Sequence, residues 1–78
     1  MKNSLREYRL KNGLSLRQLS EKTNISYGLL GFYESGRRSP SFKNAYRIAS
    51  FFKVPLETVF PQFERLSPIH ENTTNQTV

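Results

Sequence analysis

The sequence predicts an all-α fold of five short helices, and three observations lead to that prediction. Capping and stopping residues divide residues 1–60 into five segments of helical length. Within these segments the apolar residues recur three or four positions apart, as they do on one face of a helix. No run of alternating polar and apolar residues is long enough for a useful strand.

Two similar capping patterns predict the first two helices. SLRE at residues 4–7 matches a capping box, so helix 1 is expected to begin at about Leu5. Gly13 suits the left-handed residue that ends this helix. SLRQ at residues 15–18 is a second capping box and opens helix 2, which we expect to run to about Thr23.

The third helix is predicted over about residues 26–34. Asn24 suits a left-handed turn, Ser26 suits an N-cap, and Gly36 follows as a stop. Helices 2 and 3 are then about eight residues each and are joined by two or three residues. Such a short joint forces the steep crossing angle of a helix-turn-helix.

Serine and proline residues bound the last two helices. Ser41 is expected to cap helix 4, over about residues 42–52. Pro55 is well placed to open a short helix 5 over residues 56–60, which Pro61 should end.

The apolar positions of the five segments form one expected core. It comprises Leu5, Tyr8, Leu16, Leu19, Ile25, Leu29, Leu30, Tyr33, Phe42, Ala45, Ile48, Ala49, Phe52, Val54, Leu56, Val59 and Phe60. A chain of 78 residues has room for one domain, which we expect over residues 1–61. Residues 62–78 become polar and are expected to be a short, mostly disordered extension.

The charge of the chain favours a polyanionic partner. It has 12 Lys and Arg against 6 Glu, a net charge of +6, and residues 1–60 hold eleven of those bases and four of the acids. Because the bases are spread over several helices, nucleic acid is favoured over a membrane surface. No apolar run approaches a signal peptide or a membrane span, so a cytoplasmic protein without a membrane partner is expected.

The sequence offers little for enzymatic chemistry. It has no Cys and no Asp, its one His lies in the polar tail, and its Glu residues show no paired-carboxylate spacing. Metal-binding and nucleotide-binding motifs are also absent from it. We therefore expect no catalytic residue, no metal and no cofactor.

The order and spacing of these signals resemble the XRE family of helix-turn-helix proteins, the Cro and phage-repressor class. The matching elements are Gly13-Leu14-Ser15, Leu19-Ser20-Glu21, Ile25-Ser26, Leu30, Tyr33-Glu34, Gly36, Pro40-Ser41, Ile48-Ala49, Val54 and residues 56–60. The resemblance implies a compact, lambda-repressor-like domain that inserts helix 3 into the major groove of double-stranded DNA. It also implies a transcriptional regulator, most often a bacterial or phage-encoded repressor, that binds a pseudo-palindromic operator as a homodimer.

The resemblance assigns further roles by position. The groups that should face phosphate are Leu16, Arg17, Arg37, Arg38, Ser39 and Lys43. An ordinary solvated charge is the alternative interpretation of any single base among them. Arg9 and Glu34 stand where similar proteins have a partly buried ion pair that fixes helix 3 against helix 1. If both were exposed, the pair would contribute less than about 1 kcal/mol.

The base-facing positions depart from the family pattern. They are Ser26, Tyr27, Gly28, Gly31 and Phe32. None has the forked amide or guanidinium group that reads guanine or adenine with two hydrogen bonds. The remaining devices are aromatic packing on thymine methyl groups, a hydrogen bond from the Tyr27 hydroxyl, and close backbone approach at the glycines.

Two questions stay open at the level of sequence. An exposed aromatic face beside glycines is also typical of protein-binding surfaces, so residues 27–32 could contact an anti-repressor or a co-regulator. The basic loop at residues 36–40, GRRSP, favours DNA. The salt dependence of binding would separate DNA binding from protein binding. For a dimer, the candidate contacts are Phe60, Phe63 and Leu66, as apolar residues beyond the needs of the core.

Overall fold

The order of helices follows the predicted punctuation closely. A computed structural model describes residues 3–66 and contains no strand within them. Its elements are α1 (Leu5–Lys11), α2 (Leu16–Thr23), α3 (Tyr27–Ser35), α4 (Phe42–Phe52), α5 (Leu56–Val59) and a 3-10 helix (Pro61–Leu66). The predicted all-α, five-helix fold is confirmed.

Serine side chains cap three of the helices as the sequence indicates. At α2 the capping box is complete, because Gln18 N donates to Ser15 Oγ at 3.0 Å and Ser15 N donates to Gln18 Oε1 at 2.8 Å. Ser26 and Ser41 each accept a hydrogen bond from the third backbone N–H of the helix that follows. These bonds satisfy donors that a helix start leaves without an intrahelical partner.

The start of α1 is capped differently from the prediction. The Ser4 side chain makes no capping hydrogen bond, because its φ of −105° and ψ of 13° are not the extended geometry of an N-cap. Instead, Leu5 N donates to Asn3 Oδ1 at 3.0 Å. Asn3 Nδ2 in turn donates to the Tyr33 carbonyl oxygen at 2.8 Å, so the same side chain caps α1 and ties it to α3.

Left-handed residues end the first four helices or follow directly on their ends. Gly13, Asn24 and Gly36 have φ values of 69°, 61° and 79°, as their residue types predict. The sequence did not predict Lys53, which has a φ of 61° and closes α4. There Val54 N donates back to the Ala49 carbonyl at 3.1 Å, which holds a lysine in a conformation that favours glycine.

The buried core uses most of the expected apolar residues. Its fully or nearly fully buried hydrophobic members are Leu5, Leu19, Ile25, Leu30, Tyr33, Ala45, Ile48, Ala49, Val59, Phe60 and Phe63. Phe42 was expected there, but the ring is 54% exposed and stacks on Tyr46 with centroids 6.2 Å apart. As the first residue of α4, Phe42 stands at the margin of the core, where one edge of its ring contacts Phe63.

The C-terminal part of the fold corrects the expectation of a dimer surface at Phe60 and Phe63, whereas the side chain of Leu66, the third candidate, lies outside the described part of the chain. Phe60 is fully buried and Phe63 is 8% exposed, so the core uses both rings and neither is spare apolar surface. Helix α5 ends before Pro61 as predicted, but a 3-10 helix, Pro61–Leu66, follows it in the first residues of the expected extension and delivers Phe63 to the core. Of the expected extension, residues 67–78 lie outside the described part of the chain, and the 61/62 domain boundary stays a prediction.

Residues 3–66 contain no helix that is both long enough and apolar enough to cross a membrane.

Replacing Phe63 with Ala should lower the free energy of unfolding by about 3 kcal/mol, because a nearly buried ring leaves a cavity. Phe42→Ala is the matched control and should cost much less, since its ring is half exposed. Denaturant unfolding of both variants measures the difference. Equal, small losses would indicate that Phe63 serves a surface and not the core.

Candidate nucleic-acid interface

Three residues between α2 and α3 create the helix-turn-helix geometry. Asn24 adopts a left-handed conformation, Ile25 is buried, and Ser26 caps α3. A left-handed residue turns the chain sharply, and the buried Ile25 holds the turn against the core. The two helices then pack directly on each other, with α3 presenting one face outward.

The outward face of α3 carries the residues expected to face bases. Ser26, Tyr27, Gly28 and Phe32 are exposed, and Gly31 is partly exposed. Tyr27 and Phe32 are 49% and 39% exposed, so this face presents two aromatic side chains to solvent. On the opposite side of the helix, Leu30 and Tyr33 are buried in the core and Leu29 packs against it.

The two glycines of this face are not required by packing within the protein. A Cβ atom placed on Gly28 would meet nothing within 4 Å. On Gly31 it would lie 3.8 Å from Leu16 Cδ1, an ordinary van der Waals contact. Since glycine weakens a helix by about 1 kcal/mol relative to alanine, the fold alone gives no reason for either residue.

Arg9 and Glu34 form a partly buried ion pair, the clamp, behind this face. Arg9 Nε donates to Glu34 Oε2 at 2.5 Å and Arg9 Nη2 donates to Glu34 Oε1 at 3.2 Å. Their side chains are only 11% and 9% exposed. Arg9 Nη1 also donates to the Leu14 carbonyl at 2.8 Å, so one guanidinium group joins α1, the α1–α2 connection and α3.

Tyr33 anchors the same end of α3 by two further contacts that the sequence did not predict. Its carbonyl accepts from Asn3, and its hydroxyl oxygen accepts from Asn44 Nδ2 at 2.9 Å. Its ring meets Phe60 edge to face at 6.4 Å. The only sequence signal was that asparagine is a good capping residue, which applied to Asn3 but named no partner.

The basic loop after α3 is folded by the end of that helix. Gly36 N donates to the Tyr33 carbonyl at 3.1 Å and Arg37 N to the Phe32 carbonyl at 2.9 Å, the pattern of a Schellman motif. Arg37 and Arg38 are exposed beyond it. The loop is also held at its far end, where Ser39 Oγ accepts from Gln62 Nε2 at 3.1 Å and Pro40 is buried.

Two exposed arginines lie over the two exposed rings of α3. The Arg17 guanidinium is 4.7 Å from the centroid of the Tyr27 ring, and the Arg38 guanidinium is 5.6 Å from that of Phe32. Both distances are within the range of a cation–π contact. No sequence signal identified these pairs, because the paired residues lie ten and six positions apart on different elements.

The charges at this surface are available to an anion. Within residues 3–64, whose side chains the structure describes, Arg9–Glu34 is the one ion pair, so Arg17, Arg37, Arg38 and Lys43 are not neutralised by a described carboxylate. Lys43 is exposed in the first turn of α4, directly after the basic loop. Leu16, the first residue of α2, is partly buried, and its backbone N–H is the group expected to face phosphate.

The part of the chain that the structure describes holds no group of acidic or imidazole side chains suited to a metal ion.

Both comparisons with known proteins, by family and by individual sequence, find helix-turn-helix proteins. The sequence model of the Helix-turn-helix family matches residues 5–59. An uncharacterized HTH-type transcriptional regulator of Methanocaldococcus jannaschii is 38% identical over 60 residues, which cover 77% of this chain and 91% of that protein. A second, from Archaeoglobus fulgidus, is 33% identical over 77% of this chain and 86% of its own length. The Escherichia coli HTH-type transcriptional regulator SutR is 29% identical over 87% of this chain and 38% of its own length.

Removing one partner of the clamp should strand a buried charge. Arg9→Met is therefore expected to lower the free energy of unfolding by roughly 3–5 kcal/mol, and the double replacement Arg9→Met with Glu34→Leu should recover much of that loss. Thermal or denaturant unfolding of the single and double variants measures both effects. A loss below about 1 kcal/mol for Arg9→Met would mean that the pair behaves as a surface ion pair.

Proposed function

The chain belongs to the helix-turn-helix family of transcription regulators, and from that premise we propose that it represses transcription by inserting α3 into the major groove of an operator. The operator would be pseudo-palindromic and bound in the cytoplasm by a homodimer, bacterial or phage-encoded. Helix α2 would lie across the DNA backbone above α3.

One observation carries this proposal: the outward face of α3 lies between two unneutralised basic groups. Arg17 contacts the first ring of the face, Tyr27, and Arg38 contacts the second, Phe32. A duplex presents phosphates on both sides of its major groove, so a helix seated in the groove needs cations on both flanks. The arrangement of rings and guanidinium groups meets that requirement.

The chemistry of the face favours readout of methyl groups. It offers two rings, two glycines and only two hydroxyl groups, those of Tyr27 and Ser26, and the Ser26 oxygen already accepts from Leu29 N. A thymine methyl group is the apolar feature that the major groove presents, and aromatic rings pack against it. We therefore propose that Phe32 and Tyr27 face thymine-rich half-sites, with the glycines bringing the helix backbone close to the groove floor.

A homodimer is proposed because one short helix makes too few contacts for a specific site at physiological salt. Because Phe60 and Phe63 are buried in the core, we propose that other residues form the dimer surface. Sedimentation with and without operator DNA tests the dimer independently of the residues that form it.

The exposed rings support one rival function, the binding of a partner protein by the Tyr27–Phe32 face. Exposed aromatic anchors beside small residues are the shared feature of such surfaces. A protein contact made by rings should depend weakly on salt, whereas phosphate contacts make affinity fall steeply.

The first experiment is a selection from random duplex DNA at low and near-physiological salt. One enriched, two-fold-symmetric sequence at both salts would support operator binding by a dimer. Binding that disappears with salt and enriches no sequence would contradict sequence-directed binding and favour the partner-protein function.

Methyl readout predicts sensitivity to uracil. Replacing thymine by uracil in the selected half-site removes one methyl group and leaves the hydrogen-bonding edge intact, so affinity should fall about fourfold per contacted methyl. Phe32→Ala should weaken the thymine operator and abolish its advantage over the uracil duplex. Titrations of both proteins with both duplexes measure this, and an unchanged thymine advantage in the variant would remove Phe32 from base readout.

If the backbone of α3 lies close to the groove floor, Gly31→Ala should raise the stability of the protein and lower its affinity for DNA. Gly31→Ala should raise the free energy of unfolding by about 1 kcal/mol, because the new methyl group makes only an ordinary contact with Leu16. The same methyl group should lower operator affinity about tenfold or more by keeping the helix away from the groove floor.

The matched control is Ser50→Ala, at an exposed position of α4. It should leave operator affinity unchanged. Thermal unfolding and DNA titration of each variant measure both effects, and undiminished binding by Gly31→Ala would mean that the helix needs no such clearance.

A further inference from the structure

The Arg17–Tyr27 contact joins the starts of the two helices of the motif. Arg17 is the second residue of α2 and Tyr27 is the first residue of α3. Both side chains are exposed, and the guanidinium carbon lies 4.7 Å from the ring centroid. This is the shortest of the cation–π contacts among residues 3–66.

Arg17 differs from Arg9, the arginine of the clamp, in what its side chain contacts. Arg9 uses its N–H groups on Glu34 and on the Leu14 carbonyl, so its donors and its charge are already engaged. Within the described residues Arg17 makes no side-chain hydrogen bond and no ion pair. A ring under the guanidinium plane restrains the arginine and leaves its five N–H donors and its charge free.

We propose that Tyr27 is a positioning residue that holds Arg17 ready for a DNA phosphate. The inference rests on the proposed function and refines it, because it moves Tyr27 from base readout to the phosphate backbone. An arginine on a flexible stem loses conformational freedom when it grips a phosphate, and a preformed contact reduces that loss. The ring face that holds the guanidinium cannot stack on a base at the same time.

Base readout is then assigned to Phe32. Arg38 lies over one face of that ring at 5.6 Å, so readout by Phe32 uses its other face or its edge. Tyr27 therefore contributes alike to every DNA sequence, and Phe32 contributes to the operator.

The test is a double-mutant cycle measured on a random-sequence duplex, so that base readout does not enter. Tyr27→Leu should weaken binding about threefold, the range expected for an exposed cation–π contact. Tyr27→Phe keeps the ring and should bind like the unmodified protein. Arg17→Ala should lower the slope of log affinity against log salt by about 0.9, as for one lost phosphate contact, and Tyr27→Leu should then add no further loss.

The matched control is Tyr46→Leu, an exposed tyrosine of α4 over whose ring no cation of residues 3–64 lies. It should bind the duplex normally, and thermal unfolding should show that all variants are folded. An undiminished affinity of Tyr27→Leu, an equal loss in Tyr27→Phe, or the same threefold loss in both Arg17 backgrounds would overturn the positioning inference and leave DNA binding standing. If the unmodified protein showed no salt-sensitive duplex binding, the proposed function would fail as well.

Discussion

The buried contact between Arg9 and Glu34 is the constraint on which the rest of the interface depends. A guanidinium group taken out of water is stabilised only when its donors find partners in good geometry. Arg9 finds them on Glu34 and on the Leu14 carbonyl, and these directional bonds fix α1, the α1–α2 connection and α3 relative to one another. Leu14 lies three residues before Arg17, and Glu34 lies four residues before Arg38. The clamp therefore holds together the two segments that carry the basic flanks of α3.

Helix α3 is weak by itself and is stabilised from outside. Two of its nine residues are glycines that packing does not require. Hydrogen bonds at its two ends compensate for this weakness. Ser26 caps the start of the helix, and the turn at Gly36 caps its end. Tyr33 adds bonds to α1 and α4 through its carbonyl and hydroxyl groups. Because these contacts stabilise α3, the residues of its outward face can suit a binding partner instead of favouring the helix, as is usual at functional surfaces.

The small size of the core explains why its C-terminal rings are not available for association. A domain of this length buries a modest share of its surface, so each large side chain in the core matters. Phe60 and Phe63 meet at 6.4 Å, and Phe60 in turn meets Tyr33, which links the 3-10 helix to α3. The exposed Phe42–Tyr46 stack lies at the outer margin of this cluster, because the first turn of α4 extends beyond the core.

The sequence by itself determined the helices, since caps, left-handed stops and apolar spacing are local signals read by the backbone nearby. Ser15, Ser26, Ser41, Gly13 and Gly36 all act where their residue types predict. It also indicated the Arg9–Glu34 pair and the basic loop, through the resemblance to a known family. Local signals failed where a distant partner competed: Asn3 took the cap from Ser4 because it also reaches Tyr33, and Lys53 accepts a left-handed conformation because the chain must turn into α5. Only the tertiary structure decided that Phe63 is core, that Phe42 is surface, and that Arg17 lies over Tyr27, because burial and through-space contacts depend on how the helices cross and not on any one segment.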